Sequence, residues 1–79
     1  MKRIDLPGLL EKTLISLGGR GTIVEICKAF WERHEKDLRN SGDLFYTWQY
    51  DIRWAATKLR EDKKLKSKEI SPKGVWELV

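Results

Sequence analysis

Three stretches of the chain repeat apolar residues at helical spacing. Leu6, Leu9, Leu10, Thr13, Leu14 and Leu17 fall three and four apart, the spacing of one helix face. Pro7 stands in the first turn, where proline is tolerated, and Gly18-Gly19 closes the run. The spacing predicts a helix over residues 6–17. After a short extended bridge at Arg20-Gly21, Thr22 and Glu25 have the T-x-x-E spacing of a capping box, in which hydroxyl and carboxylate each take an orphan backbone N–H. Ile23, Ile26, Cys27, Phe30 and His34 follow on one side, with Trp31 at its edge, predicting a second helix over 23–37. A polar, turn-rich stretch at 39–43 comes next. Phe45, Trp48, Ile52, Ala55, Ala56 and Leu59 then give the strongest period in the chain, predicting a helix over 46–62 that ends in Arg60-Glu61-Asp62-Lys63-Lys64.

The C-terminus changes period. Leu65 to Ile70 alternates weakly, Pro72-Lys73-Gly74 turns the chain, and Val75-Trp76-Glu77-Leu78 alternates again. This predicts a hairpin. The order helix, bridge, helix, helix, hairpin reads as a winged helix-turn-helix. That is a mainly α, α+β fold with three helices and a C-terminal β-hairpin wing, in one domain over residues 1–79. One face of the hairpin closes the core while the other offers basic residues. Trp54 and Trp76 are expected to pack together and fasten the wing to helix 3, since indole gains most from burial.

Composition narrows the function. A chain of 79 residues buries only about 60% of the surface its unfolded form exposes, leaving room for one core and one surface site. The 16 Lys and Arg exceed the 12 Asp and Glu, for a formal charge of +4, a moderate excess compatible with a polyanionic partner. Cys27 is the single cysteine, which excludes an intrachain disulfide and favours a reducing compartment. No apolar run has the length of a membrane span or a signal-peptide core. A cytoplasmic protein without membrane association is expected.

Catalytic chemistry finds little support. Cys27 and His34 are the one nucleophile–imidazole combination, and both point to the buried side, where a free cysteine is inert. A zinc site needs about four ligands. Glu61-Asp62-Lys63 lacks an upstream Asp on a strand, and Gly18-Gly19-Arg20-Gly21 lacks the flanks of a phosphate loop. No catalytic residue, metal, cofactor or small-molecule substrate is expected.

The segments Ile52-Arg53-Trp54-Ala55-Ala56-Thr57-Lys58-Leu59, Lys64-Leu65 and Ser71-Pro72-Lys73-Gly74-Val75-Trp76-Glu77-Leu78 resemble the N-terminal winged-helix domain of Mrr-type restriction proteins. In that family an R-W-A-R-x-x-L-like helix leads through a G-L-L step to a basic turn and G-x-W-x-L. The first helix ending in Leu17-Gly18-Gly19 and the opening of the second helix fit as well. Ala56 stands where the family often has Arg, and Lys64 where it often has Gly. The first departure removes a basic contact, and the second implies a different end to helix 3. The resemblance implies a prokaryotic DNA-recognition module for double-stranded DNA, set in front of a nuclease domain that would follow residue 79. The chain would then be one part of a longer protein or a stand-alone relative.

In a helix-turn-helix the second helix of the motif enters the major groove, which makes helix 3 the reader. At about 100° per residue, its apolar stripe leaves Tyr46, Tyr50, Arg53 and Thr57 on the far side, with Arg60 and Trp54 flanking and Gln49 and Thr47 near the N-terminal end. Arg53 leads the candidates, because its planar fork bonds guanine or clamps a phosphate. The bland alternative is an ion pair, for which Asp51 is badly spaced within the helix. Tyr50 and Thr47 are phosphate donors and Gln49 an adenine reader. Thr57 completes the exposed face. Lys66, Lys68 and Lys73 are wing contacts to phosphate, or a solvated face. Arg20, just before helix 2, is a secondary phosphate contact. The competing reading is a protein-interaction winged helix or self-associating module that uses Tyr46, Tyr50, Trp31 and Trp48. The DNA reading requires Arg53, Lys66, Lys68 and Lys73 to form one positive surface. The other requires acidic residues to interrupt that positive surface and an apolar patch to dominate instead.

Overall fold

A computed structural model describes residues 1–79. A single 3-10 turn over Arg3–Asp5 runs into α1 (Leu6–Ser16), followed by β1 (Arg20–Thr22), α2 (Ile23–Arg39), α3 (Leu44–Glu61) and β2 (Val75–Glu77). The fold is mainly α, with three helices and a two-stranded antiparallel sheet. No helix is long and apolar enough to cross a membrane.

Each helix end has a local cause. The hydrogen bonds that end α1 run from Gly19 N–H to Leu14 C=O at 2.8 Å and from Gly18 N–H to Ile15 C=O at 3.1 Å. This is a Schellman closure, and Gly18 takes the left-handed conformation it requires, with φ +85°. At the start of α2 the Glu25 N–H donates to Thr22 Oγ1 at 3.1 Å, and the Thr22 N–H donates to Glu25 Oε1 at 2.8 Å. The capping box is therefore complete. The helix runs two residues beyond the expected 37, where Leu38 is fully buried in the core and Arg39 pairs with Glu35 one turn back at 2.9 Å. The third helix starts two residues earlier than expected, at Leu44, which is buried and adds a further apolar position to the stripe.

The core is one cluster. Leu6, Leu10 and Leu14 of α1, Ile26, Phe30 and Leu38 of α2, and Leu44, Trp48, Ile52, Ala55, Ala56 and Leu59 of α3 are buried together with Leu65 and Trp76. Fully burying a side chain such as Leu, Ile or Phe contributes about 1.5–3 kcal/mol. Ala55 and Ala56 are small and fully buried, and α1 is the most extensively packed neighbour of α3. Between α2 and α3, Trp48 stacks on Phe30 (centroids 5.6 Å apart) and on Trp31 (6.0 Å). Trp48 thus belongs to the core, as its place in the apolar period of the third helix predicts, and not to the exposed aromatic face that the competing interaction reading requires.

The sheet differs from the expected hairpin. The strand expected over Leu65–Ile70 is absent. Only Leu65 bridges the C-terminal strand, opposite Leu78, and residues 68–70 form a turn. The Lys66 N–H extends this bridge to Glu77 C=O at 2.8 Å. The main partner of β2 is β1, with Arg20, Gly21 and Thr22 opposite Glu77, Trp76 and Val75. The bridge read as a connector between helices is therefore a strand. Its middle residue has a steric reason to be glycine, since a Cβ at Gly21 would sit 3.2 Å from Ile26 Cγ1. The β1–β2 pair and the Leu65 bridge place Trp76 in the core and bring residues 68–74 beside the outer flank of α3.

Trp54 also departs from its expected place under the wing. It forms no aromatic pair with Trp76. Its ring lies under Arg3, whose guanidinium carbon is 3.9 Å from the ring centroid. Trp54 and Arg53 are neighbours in a helix and so point about 100° apart. Arg53 lines the cleft shared with Trp76, and Trp54 turns away to the N-terminal segment.

Candidate functional site

The outer flank of α3 borders two concavities that share Arg53 and Ile23. The first is a cleft of about 380 Å³ between α3 and the 68–74 turn. Arg53, Thr57 and Arg60 reach it from α3, and Lys68 and Lys73 from the turn; no acidic side chain lines it. Arg53 and Arg60 are seven residues apart, two turns of one helix face. The Arg53 side chain is exposed and takes part in none of the chain's five ion pairs. Arg60 Nε donates to Lys66 C=O at 3.3 Å. That bond ties α3 to the start of the turn and holds one edge of the guanidinium.

Sequence reasoning left Arg60 as a flanking residue. The signal that finds it is the i, i+7 relation to Arg53. Ser71 was missed altogether. It stands just before the Pro72-Lys73-Gly74 turn, yet it is only 8% exposed and lines the cleft.

The other candidates divide. Gln49 joins Arg53, in the second concavity. Tyr50 is 76% exposed on α3 and unobstructed. Thr57 lines the cleft, but its hydroxyl donates to Arg53 C=O at 3.2 Å, so its proton is engaged by the helix itself. Thr47 lies elsewhere. Its hydroxyl donates to Asp51 Oδ2 at 2.8 Å, and Asp51 pairs with Arg3 at 3.3 Å. Thr47 is six residues from Arg53, which turns it to the opposite flank of α3. Lys66 is held by Glu77 at 3.3 Å and stands outside the cleft lining. Arg20 is exposed at the far end of β1, opposite Glu77 in the ladder. The single positive surface expected of Arg53, Lys66, Lys68 and Lys73 is therefore built from Arg53, Arg60, Lys68 and Lys73.

The second concavity is an apolar groove of about 720 Å³ between α2 and the first half of α3. Ile23, Val24, Cys27, Trp31, Phe45 and Trp48 line it, with Lys28, Gln49 and Arg53 as its polar members. Arg39 closes on the same aromatics, its guanidinium carbon 5.2 Å from the Trp31 ring centroid. Burial pushes the Cys27 thiol above its ordinary value, with the Arg53 charge acting the other way. A raised thiol is a poor nucleophile. His34 packs against Phe30 in a tilted ring pair, with centroids 4.6 Å apart and planes 48° apart. Burial holds its imidazole below the ordinary value, aided by Arg33 and opposed by Asp37.

No family model, no curated protein and no solved structure matches this chain.

Proposed function

We propose that the chain is a winged helix-turn-helix module that binds double-stranded DNA, with α3 in the major groove and the 68–74 turn on the adjoining backbone. The observation that carries this reading is the acid-free cleft flanked by Arg53, Arg60, Lys68 and Lys73. Four cations on one helix flank and its neighbouring turn match a phosphate backbone, and Arg53 is free to bond a base edge. The element order supports the fold assignment: β1 lies between the first two helices, and the C-terminal strand that follows the turn pairs with it. The resemblance to the N-terminal domain of Mrr-type restriction proteins extends the proposal to DNA targeting in a restriction system. The module would then work beside a nuclease domain in the cytoplasm of a prokaryotic cell.

The test is fluorescence anisotropy on a labelled duplex at low and physiological salt, with Arg53→Ala beside the wild type. Binding that falls with salt and weakens in the variant supports the reading. Absence of binding even at low salt overturns it.

A second reading rests on the apolar groove between α2 and α3. Its exposed Val24 and its half-buried Trp31 and Phe45 are chemistry suited to a protein partner or self-association. It becomes the better account if the duplex fails to bind.

A further inference from the structure

We infer that the cleft between α3 and the 68–74 turn is a discrete phosphate-binding pocket, with the Ser71 hydroxyl as its buried donor. The inference rests on the DNA reading only so far as a duplex is one source of the phosphate. The pocket would equally take a terminal or a free phosphate.

The central observation is an unpaired atom. Ser71 is 8% exposed, and its Oγ is sealed from solvent with no hydrogen-bond partner in the chain. It is the one buried side-chain polar atom left in that state. A buried hydroxyl without a partner carries the full cost of its desolvation, and such groups call for an explanation when they occur. Thr13, the other buried polar residue, has no such problem, because its hydroxyl donates to Leu9 C=O at 2.9 Å. Ser71 lines the cleft that gathers Arg53, Arg60, Lys68 and Lys73. A change of its single side-chain torsion to another staggered well re-aims the hydroxyl.

The surrounding groups suit an anion with several oxygens. Arginine offers a planar fork of donors to phosphate, and lysine a point charge. Arg53 enters from α3 with its guanidinium unpaired. Arg60 has one edge fixed by Lys66 C=O and the rest of its fork free. The backbone adds to this. The N–H groups of Lys73 and Gly74 donate to no acceptor in the chain. The cleft therefore combines four cations, a hydroxyl donor and two free amides with no carboxylate. A phosphate group takes charge and hydrogen bonds together, and this donor set provides both.

The experiment is an amide-resolved NMR titration of the whole chain with sodium phosphate against sodium chloride at matched ionic strength, repeated on Ser71→Ala and Lys73→Gln. The expected result is a saturable shift localised to residues 53, 57, 60 and 68–74 that chloride does not reproduce. Ser71→Ala should weaken phosphate binding about tenfold, the worth of one charge-assisted hydrogen bond, while its Tm stays equal or rises because an unsatisfied hydroxyl has been removed. Lys73→Gln, at an exposed position, should weaken binding without lowering Tm. A shift scattered evenly over the lysines overturns the pocket. So does a Ser71→Ala chain that melts earlier and binds phosphate as before.

Duplexes with and without a 5′-phosphate separate the sources. Phosphate binding without duplex binding keeps the pocket and removes the DNA reading, with the 5′-phosphorylated duplex reporting on a terminal group. Duplex binding that ignores both free phosphate and Ser71→Ala keeps the DNA reading and removes the pocket.

Discussion

Arg3 covers the ring of Trp54, its guanidinium carbon 3.9 Å from the ring centroid, while its Nε reaches Asp51 Oδ1 at 3.3 Å. One side chain thus pins the N-terminal 3-10 turn to the flank of α3 opposite the basic cleft. An exposed cation–π contact contributes about 0.5–1 kcal/mol, and the ion pair, half-exposed at Arg3 and largely covered at Asp51, adds a smaller increment. Arg3→Ala should lower stability by roughly 1 kcal/mol and open the Trp54 ring to water. Urea denaturation measures the first effect, and acrylamide quenching of tryptophan fluorescence the second. Because Arg3 is remote from the cleft, duplex binding should not change. A loss of binding in Arg3→Ala would place the DNA face on the wrong flank.

The geometry that ends α3 gives a stabilising substitution. Lys63 has φ +60°, a left-handed conformation that costs a residue with a Cβ. Around it, Lys64 N–H bonds Leu59 C=O at 2.8 Å and Lys63 N–H bonds Arg60 C=O at 3.0 Å, the pattern in which glycine is favoured. Lys63→Gly should raise stability by roughly 0.5–1 kcal/mol after the larger entropy of the unfolded glycine is offset. That corresponds to a rise in Tm of a few degrees in a domain of this size. Lys64→Gly is the control. Lys64 has no positive φ, and its Nζ lies 3.8 Å from Glu11, so the same replacement one residue later should destabilise. Thermal melts of the two variants decide it.

The helices were legible because burial imposes their period. Ile52, Ala55, Ala56 and Leu59 could not face water together, so α3 was fixed to within two residues at its start and one at its end. The sheet was not legible for the opposite reason. Residues Arg20–Thr22 are too few to show an alternation, and their pairing with Val75–Glu77 spans most of the chain. The alternating Leu65–Ile70 offered a nearer partner, but Pro72 and the turn at 68–70 leave it only the Leu65 bridge. The site was half legible. Helical rotation brings Arg53 and Thr57 together and would also have brought in Arg60. The same rotation carries Thr47 to the far flank, where proximity in sequence to Gln49 concealed it. Ser71 left no trace in the sequence, since its burial depends on how the turn folds back on α3.

His34 gives the chain a pH dependence. In the unfolded chain its imidazole titrates near the ordinary 6.5, and in the fold burial and Arg33 hold it lower. Between those two values the unfolded state carries a proton that the native state lacks. Stability is therefore complete above about 6.5 and falls as pH drops towards the lowered value. Glu25, lowered by its bonds to Thr22, acts in the same direction but below 4.5. Urea midpoints at about pH 7.5, 6.5 and 5.5 should decline for the wild type and lie flatter for His34→Gln. An equal slope in both chains would remove His34 as the cause.

Glu77 restrains the basic surface. Its carboxylate holds Lys66 at 3.3 Å and stands opposite Arg20 in the ladder. It therefore holds Lys66 in an ion pair and puts a negative charge on the sheet, outside the lining of the cleft. Glu77→Gln should free Lys66 and remove that charge while preserving the backbone bond from Lys66 N–H to Glu77 C=O. The ion pair is half-buried, with both side chains largely covered, so Tm should fall modestly. Under the DNA reading, duplex binding should tighten several-fold at low salt, and the slope of log affinity against log salt should steepen by about 0.9, the increment for one added phosphate contact. Tighter binding with an unchanged slope would mean that only the removed negative charge matters. An unchanged affinity would mean that the Lys66 end of the sheet stays clear of the duplex. The DNA face would then be limited to α3 and the 68–74 turn.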